Sequence, residues 1–225
     1  ARGDAHPDAF CAAGLPTHCP DRMVLGIDRL PGGFGPYILA PVNAVIPADS
    51  LPLRTAALVE PFAAALHAVH TSRPRKGDRI AVIGTGRLGS LIIAALAAWR
   101  RSSGTECSIT ALALGRGRMD HALKMGADDA VDMDEVKTEA LKEKFDLVFE
   151  ATGSPGGLES ALVMARREVH LKSTHGRPFF GLKHLTELVV DELSLLPYTK
   201  EALDYTWEHE QRKNRTVYRA PGAIE

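Results

Sequence analysis

The stretch RIAVIGTGRLGSLIIAALAAW, residues 79–99, constrains the fold of this chain more than any other. Ile80–Ile83 is a short β-branched run, and Gly84, Gly86 and Gly89 follow it at GxGxxG spacing. Leu88, Leu91, Ile92, Ala95, Leu96 and Trp99 then recur at the spacing of a helix with one buried face. A strand that turns on glycines directly into a helix is the opening of a βαβ unit. In such a unit the first glycine allows the tight turn and the second lets a pyrophosphate approach the backbone. The third lets the helix pack closely on the strand. Free N–H groups and the dipole at the helix N-terminus favour the anion. A glycine turn without a ligand is the plain alternative; the elements on either side of the motif, and the further βα units beyond it, weigh against that.

Those further units follow in order. SITALAL (108–114) is a second strand, with a helix after it that ends at KMGADD. Then come VD (131–132), the strand FDLVFEAT (145–152), a helix through LESALVMA, the strand EVHLKST (168–174) and a further strand at ELSLLPY (192–198). Alternating strands and helices imply an α/β, doubly wound parallel sheet of the Rossmann type, over residues 70–200. Residues 1–69 read as part of a small β-rich domain with a connecting helix, with short strands at YILAP and NAVIPA. Residues 201–225 read as a polar helix and tail.

The second strand bears on which nucleotide the glycine loop would take. NAD sites place Asp or Glu at its end, where the acid accepts the ribose 2′-OH. Here Ala113, Leu114 and Gly115 stand there, and Arg116 and Arg118 follow at once. A carboxylate would repel a 2′-phosphate, whereas a guanidinium binds it bidentately. NADP is therefore favoured and NAD is the second choice. Solvated surface arginines are the plain alternative. Methyltransferases also use a glycine loop, but with an acid after the second strand; the aliphatic end here favours a dinucleotide.

Other partners are argued against by composition. Net charge is −1 and no basic stretch interleaves with aromatics, so nucleic acid is not expected. The longest apolar run, Leu91–Trp99, falls short of the ~20 residues that a membrane span needs. Three cysteines make no disulfide framework, which suits the reducing cytoplasm.

One residue is out of place. Glu60 lies in the apolar run AALVEPFAAALHAV (56–69), followed by Pro61. A buried carboxylate needs a partner, whereas one in the first turn of a helix is favoured by the helix dipole alone.

Taken in order, GGFGPYILAP (32–41), VIP (45–47), AALVEPFAAALHAV, KGDRIAVIGTGRLG (76–89), ALKMGADDAVD (122–132) and FDLVFEATGSPGGLESAL (145–162) resemble the medium-chain dehydrogenase/reductase superfamily. The likeness is to its zinc-type members, the sorbitol, threonine and glucose dehydrogenases. It implies that the β-rich part is a fragment of a GroES-like catalytic domain. It also implies hydride transfer between NADP(H) or NAD(H) and a small alcohol or polyol. A non-catalytic dinucleotide-binding protein is the alternative. Glu60 matches the family's catalytic Glu-Pro glutamate beside the zinc, which makes it the one candidate metal ligand. Gly84, Gly86, Arg87, Leu88 and Gly89 match the phosphate loop, and Thr152, Gly153, Lys172 and Ser173 match positions beside the nicotinamide. The family's other catalytic zinc ligands precede the Gly-Gly-Phe segment, and the sequence given has no room for them, so zinc and turnover by this chain alone are not expected. Cys11 and Cys19 match the spacing of two of four structural-zinc cysteines, with Ala5 and Asp8 at the other two positions. The segment ELSLLPY matches the family's dimer-forming strand, which implies a homodimer.

Overall fold

The structure is a computed structural model that describes residue 12, residues 19–42 and residues 45–172. Cys11, Ser173, the ELSLLPY segment and the C-terminal helix and tail lie outside the described residues. The chain divides into two compact units between Ala57 and Leu58.

In the first unit β1 (Val24–Leu25) pairs with β2 (Arg29–Leu30) across a turn in which Gly26 takes φ 70°. A single helical turn, α1 (Leu53–Ala56), closes the unit. YILAP forms no strand, nor do residues 45–48. Pro36 and Pro41 bracket YILAP, and a proline offers no N–H to a ladder. Phe34, Tyr37 and Leu39 are fully or almost fully exposed.

The second unit holds the parallel sheet. Helix α2 (Val59–Ser72) leads to β3 (Arg79–Ile83), the glycine turn and α3 (Arg87–Ser103). Then come β4 (Ser108–Ala113), α4 (Arg116–Met125), β5 (Asp129–Asp132) and a 3-10 turn at Thr138–Leu141. Finally β6 (Phe145–Glu150), α5 (Pro155–Met164) and β7 (Ala165–Leu171) complete the described part. The strand order is β5-β4-β3-β6-β7, all parallel. The chain winds outward from β3 one way through β4 and β5, then crosses back to β6 and β7. The reversal opens a crevice between the carboxyl ends of β3 and β6.

Two-residue alternation along the strands divides the core. Ile80 and Val82 of β3 join Ile109, Ala111, Leu147 and Phe149 on one face, under α2, α3 and α4. Ala81 and Ile83 join Leu112, Val148 and Val169 on the other, under α5. Helix α3 is buried more widely than its sequence stripe implies. Ile93 and Ala97 are buried beside Ile92, Ala95 and Leu96, because α3 packs on the sheet and against α2 and α4 at once. No helix of the described residues is long and apolar enough to cross a membrane.

Two polar ties close the sheet edge. The Ser72 hydroxyl and His170 Nδ1 lie 2.8 Å apart, joining α2 to β7. Burial, with the charges of Lys172 and His67, pushes the His170 imidazole down to about 3, so it is neutral at physiological pH. At the turn before β3, Arg167 grips Asp78 with both guanidinium arms at 2.8 and 2.7 Å, and the Arg75 N–H donates to the same carboxylate. Burial pushes the Asp78 carboxyl up, but these bonds and the Arg167 charge outweigh it and hold it below its ordinary value. Its contribution to stability is therefore complete above the ordinary carboxylate range and is lost as pH falls through the lowered value. Removing Arg167 takes away the ion-pair partner of a buried acid and leaves it the Arg75 N–H. Arg167→Leu is expected to lower the unfolding free energy by about 2 kcal/mol at neutral pH, read from denaturant melts.

A candidate dinucleotide site at the carboxyl end of the sheet

The site begins at Gly84, which takes φ 89° as the chain leaves β3. Its N–H donates to the Leu112 carbonyl at 3.2 Å, and the Ala151 N–H donates to the Ile83 carbonyl at 2.9 Å. The first bond ties the loop after β3 to β4, and the second holds the loop after β6 against the end of β3. A Cβ on Gly84 would stand 2.7 Å from the Thr152 nitrogen, and one on Gly89 would overlap the Gly84 carbonyl oxygen. Both glycines therefore serve close approach of backbone to backbone.

Gly86 differs. It is the N-cap of α3 in an extended conformation, and a Cβ there would meet nothing within 4 Å. The protein leaves this point open, in front of the first N–H groups of α3, which have no intrahelical acceptor. Arg87 beside it is exposed and Leu88 half-buried. Between the two glycines sits Thr85, 4% exposed, whose hydroxyl finds no hydrogen-bond partner among the described residues. A buried hydroxyl left unpaired is uncommon in folded proteins, and a bound ligand is one way to satisfy it.

Across the crevice, Glu150 ends β6 and is 1% exposed. Its Oε1 accepts the Thr152 N–H at 2.7 Å and also the Thr152 hydroxyl. Ser154 then caps α5 by accepting the Gly157 N–H at 3.1 Å. This chain of bonds fixes the Thr152–Gly153 turn, in which Gly153 takes φ 69°. The Lys172 N–H donates to the Glu150 carbonyl at 2.9 Å, so the end of β7 runs level with the end of β6. On the other side Gly115, at φ 81°, leads into the first turn of α4, where Arg116 and Arg118 are exposed.

The carboxyl ends of β4, β3, β6 and β7 thus bring Arg116, Arg118, Gly84, Gly86, Arg87, Leu88, Gly89, Thr152, Gly153 and Lys172 to one end of the sheet. Glu60 is not among them; it is exposed in the first turn of α2, an acid at a helix N-terminus. His67 and His70, also on α2, are exposed. Among the described residues no three His, Cys, Asp or Glu side chains come together as a metal site.

Sequence reasoning missed Glu150, Thr85 and Asp132. The signal for Glu150 was present, an acid in the apolar strand FDLVFEA, and is the same signal that singled out Glu60. No sequence pattern marks Thr85 as unpaired.

The fold and its details have clear relatives. No protein-family model matches the chain. It is 34% identical to sorbitol dehydrogenase of Bacillus subtilis over 165 residues, 70% of this chain and 45% of that enzyme. It is 28% identical to L-idonate 5-dehydrogenase (NAD(P)(+)) of Escherichia coli over 170 residues, 70% of this chain and 47% of the enzyme. The crystal structure of Escherichia coli L-idonate 5-dehydrogenase superposes with a TM-score of 0.67 at 23% identity, covering 89% of this chain and 60% of the other. Neighbours of the same fold have been solved with NADH, at a TM-score of 0.66, and with NADP, at 0.64. The chain spans about half the length of the curated relatives it matches. Over the part it spans, the chain is similar in sequence and in fold to polyol and alcohol dehydrogenases of the zinc-type medium-chain family.

Proposed function

We propose that this chain binds a nicotinamide dinucleotide, NADP in preference to NAD, and serves as the nucleotide half of an alcohol or polyol oxidation. One observation carries the reading: the open face of Gly86, beside the unpaired Thr85 hydroxyl, at the crevice where the strand order reverses. The fit is chemical as well as spatial. The α3 N-terminus offers N–H groups to a pyrophosphate. Thr85 offers a hydroxyl, and Arg116 and Arg118 offer cations where the 2′-phosphate of NADP would lie. The Thr152–Gly153 turn, held by Glu150, and the Lys172–Ser173 segment would flank the nicotinamide. When bound, the dinucleotide supplies the hydride acceptor. The chain's own residues orient it and exclude water.

Glu60 enters this reading by its match to the family's Glu-Pro pair, as the carboxylate beside a catalytic zinc or its bound water. A catalytic zinc needs three protein ligands and one open position, and Glu60 alone is one. The described residues do not make such a site, and no step is derived through zinc. Cysteine usage suits the cytoplasm.

The nucleotide assignment has its own test. Arg116→Ala is expected to weaken NADPH binding about tenfold while changing NADH binding less than twofold, since charge-assisted phosphate bonds contribute about 1.5–3 kcal/mol. Titration of reduced-nucleotide fluorescence reads both. Equal affinities of the wild-type chain for NADH and NADPH would contradict the preference.

A further inference from the structure

The second strand lacks the acid of an NAD site, yet the structure supplies one from the next strand. Asp132 closes β5 and is half-buried. The Met133 N–H donates to the Ala113 carbonyl at 2.8 Å, which holds the end of β5 level with the end of β4. Asp132 Oδ1 then accepts the Gly115 N–H at 3.3 Å and the Asp134 N–H at 3.1 Å. Gly115 is the residue that takes the acid's place in the sequence. Its carbonyl is engaged in turn by the Arg118 N–H at 3.1 Å, in the first turn of α4. A single residue, Gly115, therefore has the Asp132 carboxylate at its N–H and the arginine-bearing turn at its carbonyl. Asp132 donates nothing here, and neither of its known partners is a cation.

Resting on the dinucleotide reading, we propose that Asp132 is a specificity-determining residue that limits the preference for NADP over NAD. A 2′-phosphate placed against Arg116 lies near this carboxylate, and like charges repel. The ribose 2′-OH of NAD carries no charge and meets no such penalty. Arg116 and Asp132 thus act in opposite directions on one ligand group, and the measured preference is their difference. The effect is electrostatic, so added salt reduces it.

The test uses the full chain, with NADPH and NADH as probes and fluorescence titration as the readout. Asp132→Asn keeps an oxygen to accept the Gly115 and Asp134 N–H groups while removing the charge. It is expected to raise the NADPH:NADH affinity ratio about fivefold at low salt, and less at high salt. Asp132→Ser, also uncharged, is expected to move the ratio in the same direction, and provides the measurement should the asparagine variant not fold. A ratio that stays unchanged or falls in the folded variant, while wild type binds nucleotide, overturns the role of Asp132 alone. A wild-type chain that binds neither nucleotide overturns the dinucleotide reading, and this inference with it.

Discussion

Gly86→Val is expected to weaken NADPH binding at least about 100-fold, roughly 2.7 kcal/mol, while leaving the unfolding transition nearly where it was. The two halves of that expectation come from one fact. A Cβ on Gly86 meets no protein atom within 4 Å, and its φ of −76° is open to any residue. Replacing an N-cap glycine changes the helix itself by about 1 kcal/mol at most. The added side chain therefore enters the space in front of the α3 N–H groups without disturbing what lies behind them. Only something arriving from outside the chain would collide with it. Paired thermal melts and fluorescence titrations separate the effects. A variant that binds as wild type does would mean that the loop is not the phosphate site.

Gly89→Ala is expected to do the reverse, lowering the unfolding free energy by about 3 kcal/mol. One methyl group is enough because of where it would go. The Gly89 Cβ position overlaps the Gly84 carbonyl oxygen, and the Ala151 side chain is 3.7 Å away. Neither neighbour can yield cheaply. Gly84 is committed by its positive φ and by its bond to Leu112, and Ala151 by its bond to Ile83. Helix α3 would have to lift from the β3 turn, loosening the contact by which Ile92, Ala95 and Leu96 pack into the core. Urea unfolding of the variant measures the loss. A change within about 0.5 kcal/mol would show that the helix can shift at little cost and that the third glycine is not a packing requirement.

Much of the fold was legible because local and tertiary preferences agree. Ile80–Ile83 and Phe145–Glu150 are runs of β-branched and aromatic residues ended by glycine or threonine turns, and the structure makes strands of both. Gly126, which takes φ 111° at the end of α4, was visible as the glycine that stops a helix. YILAP misled because an apolar, aromatic run reads as a strand wherever it lies, while pairing depends on a neighbour that the run cannot specify. The glycine loop was legible for the same reason as the fold: its glycines answer to geometry at fixed spacing. Asp132 was not, because its importance comes from strands brought alongside one another. Asp132 reaches Gly115 only once β5 lies against β4, 17 residues along the chain.

The measurement that tests the central claim most directly is a calorimetric titration of the wild-type chain with NADPH, NADH and S-adenosylmethionine in turn. The account predicts saturable binding of NADPH at one site per chain, weaker binding of NADH, and no heat from S-adenosylmethionine beyond dilution. Binding of S-adenosylmethionine, or no binding of either nicotinamide dinucleotide, would contradict it.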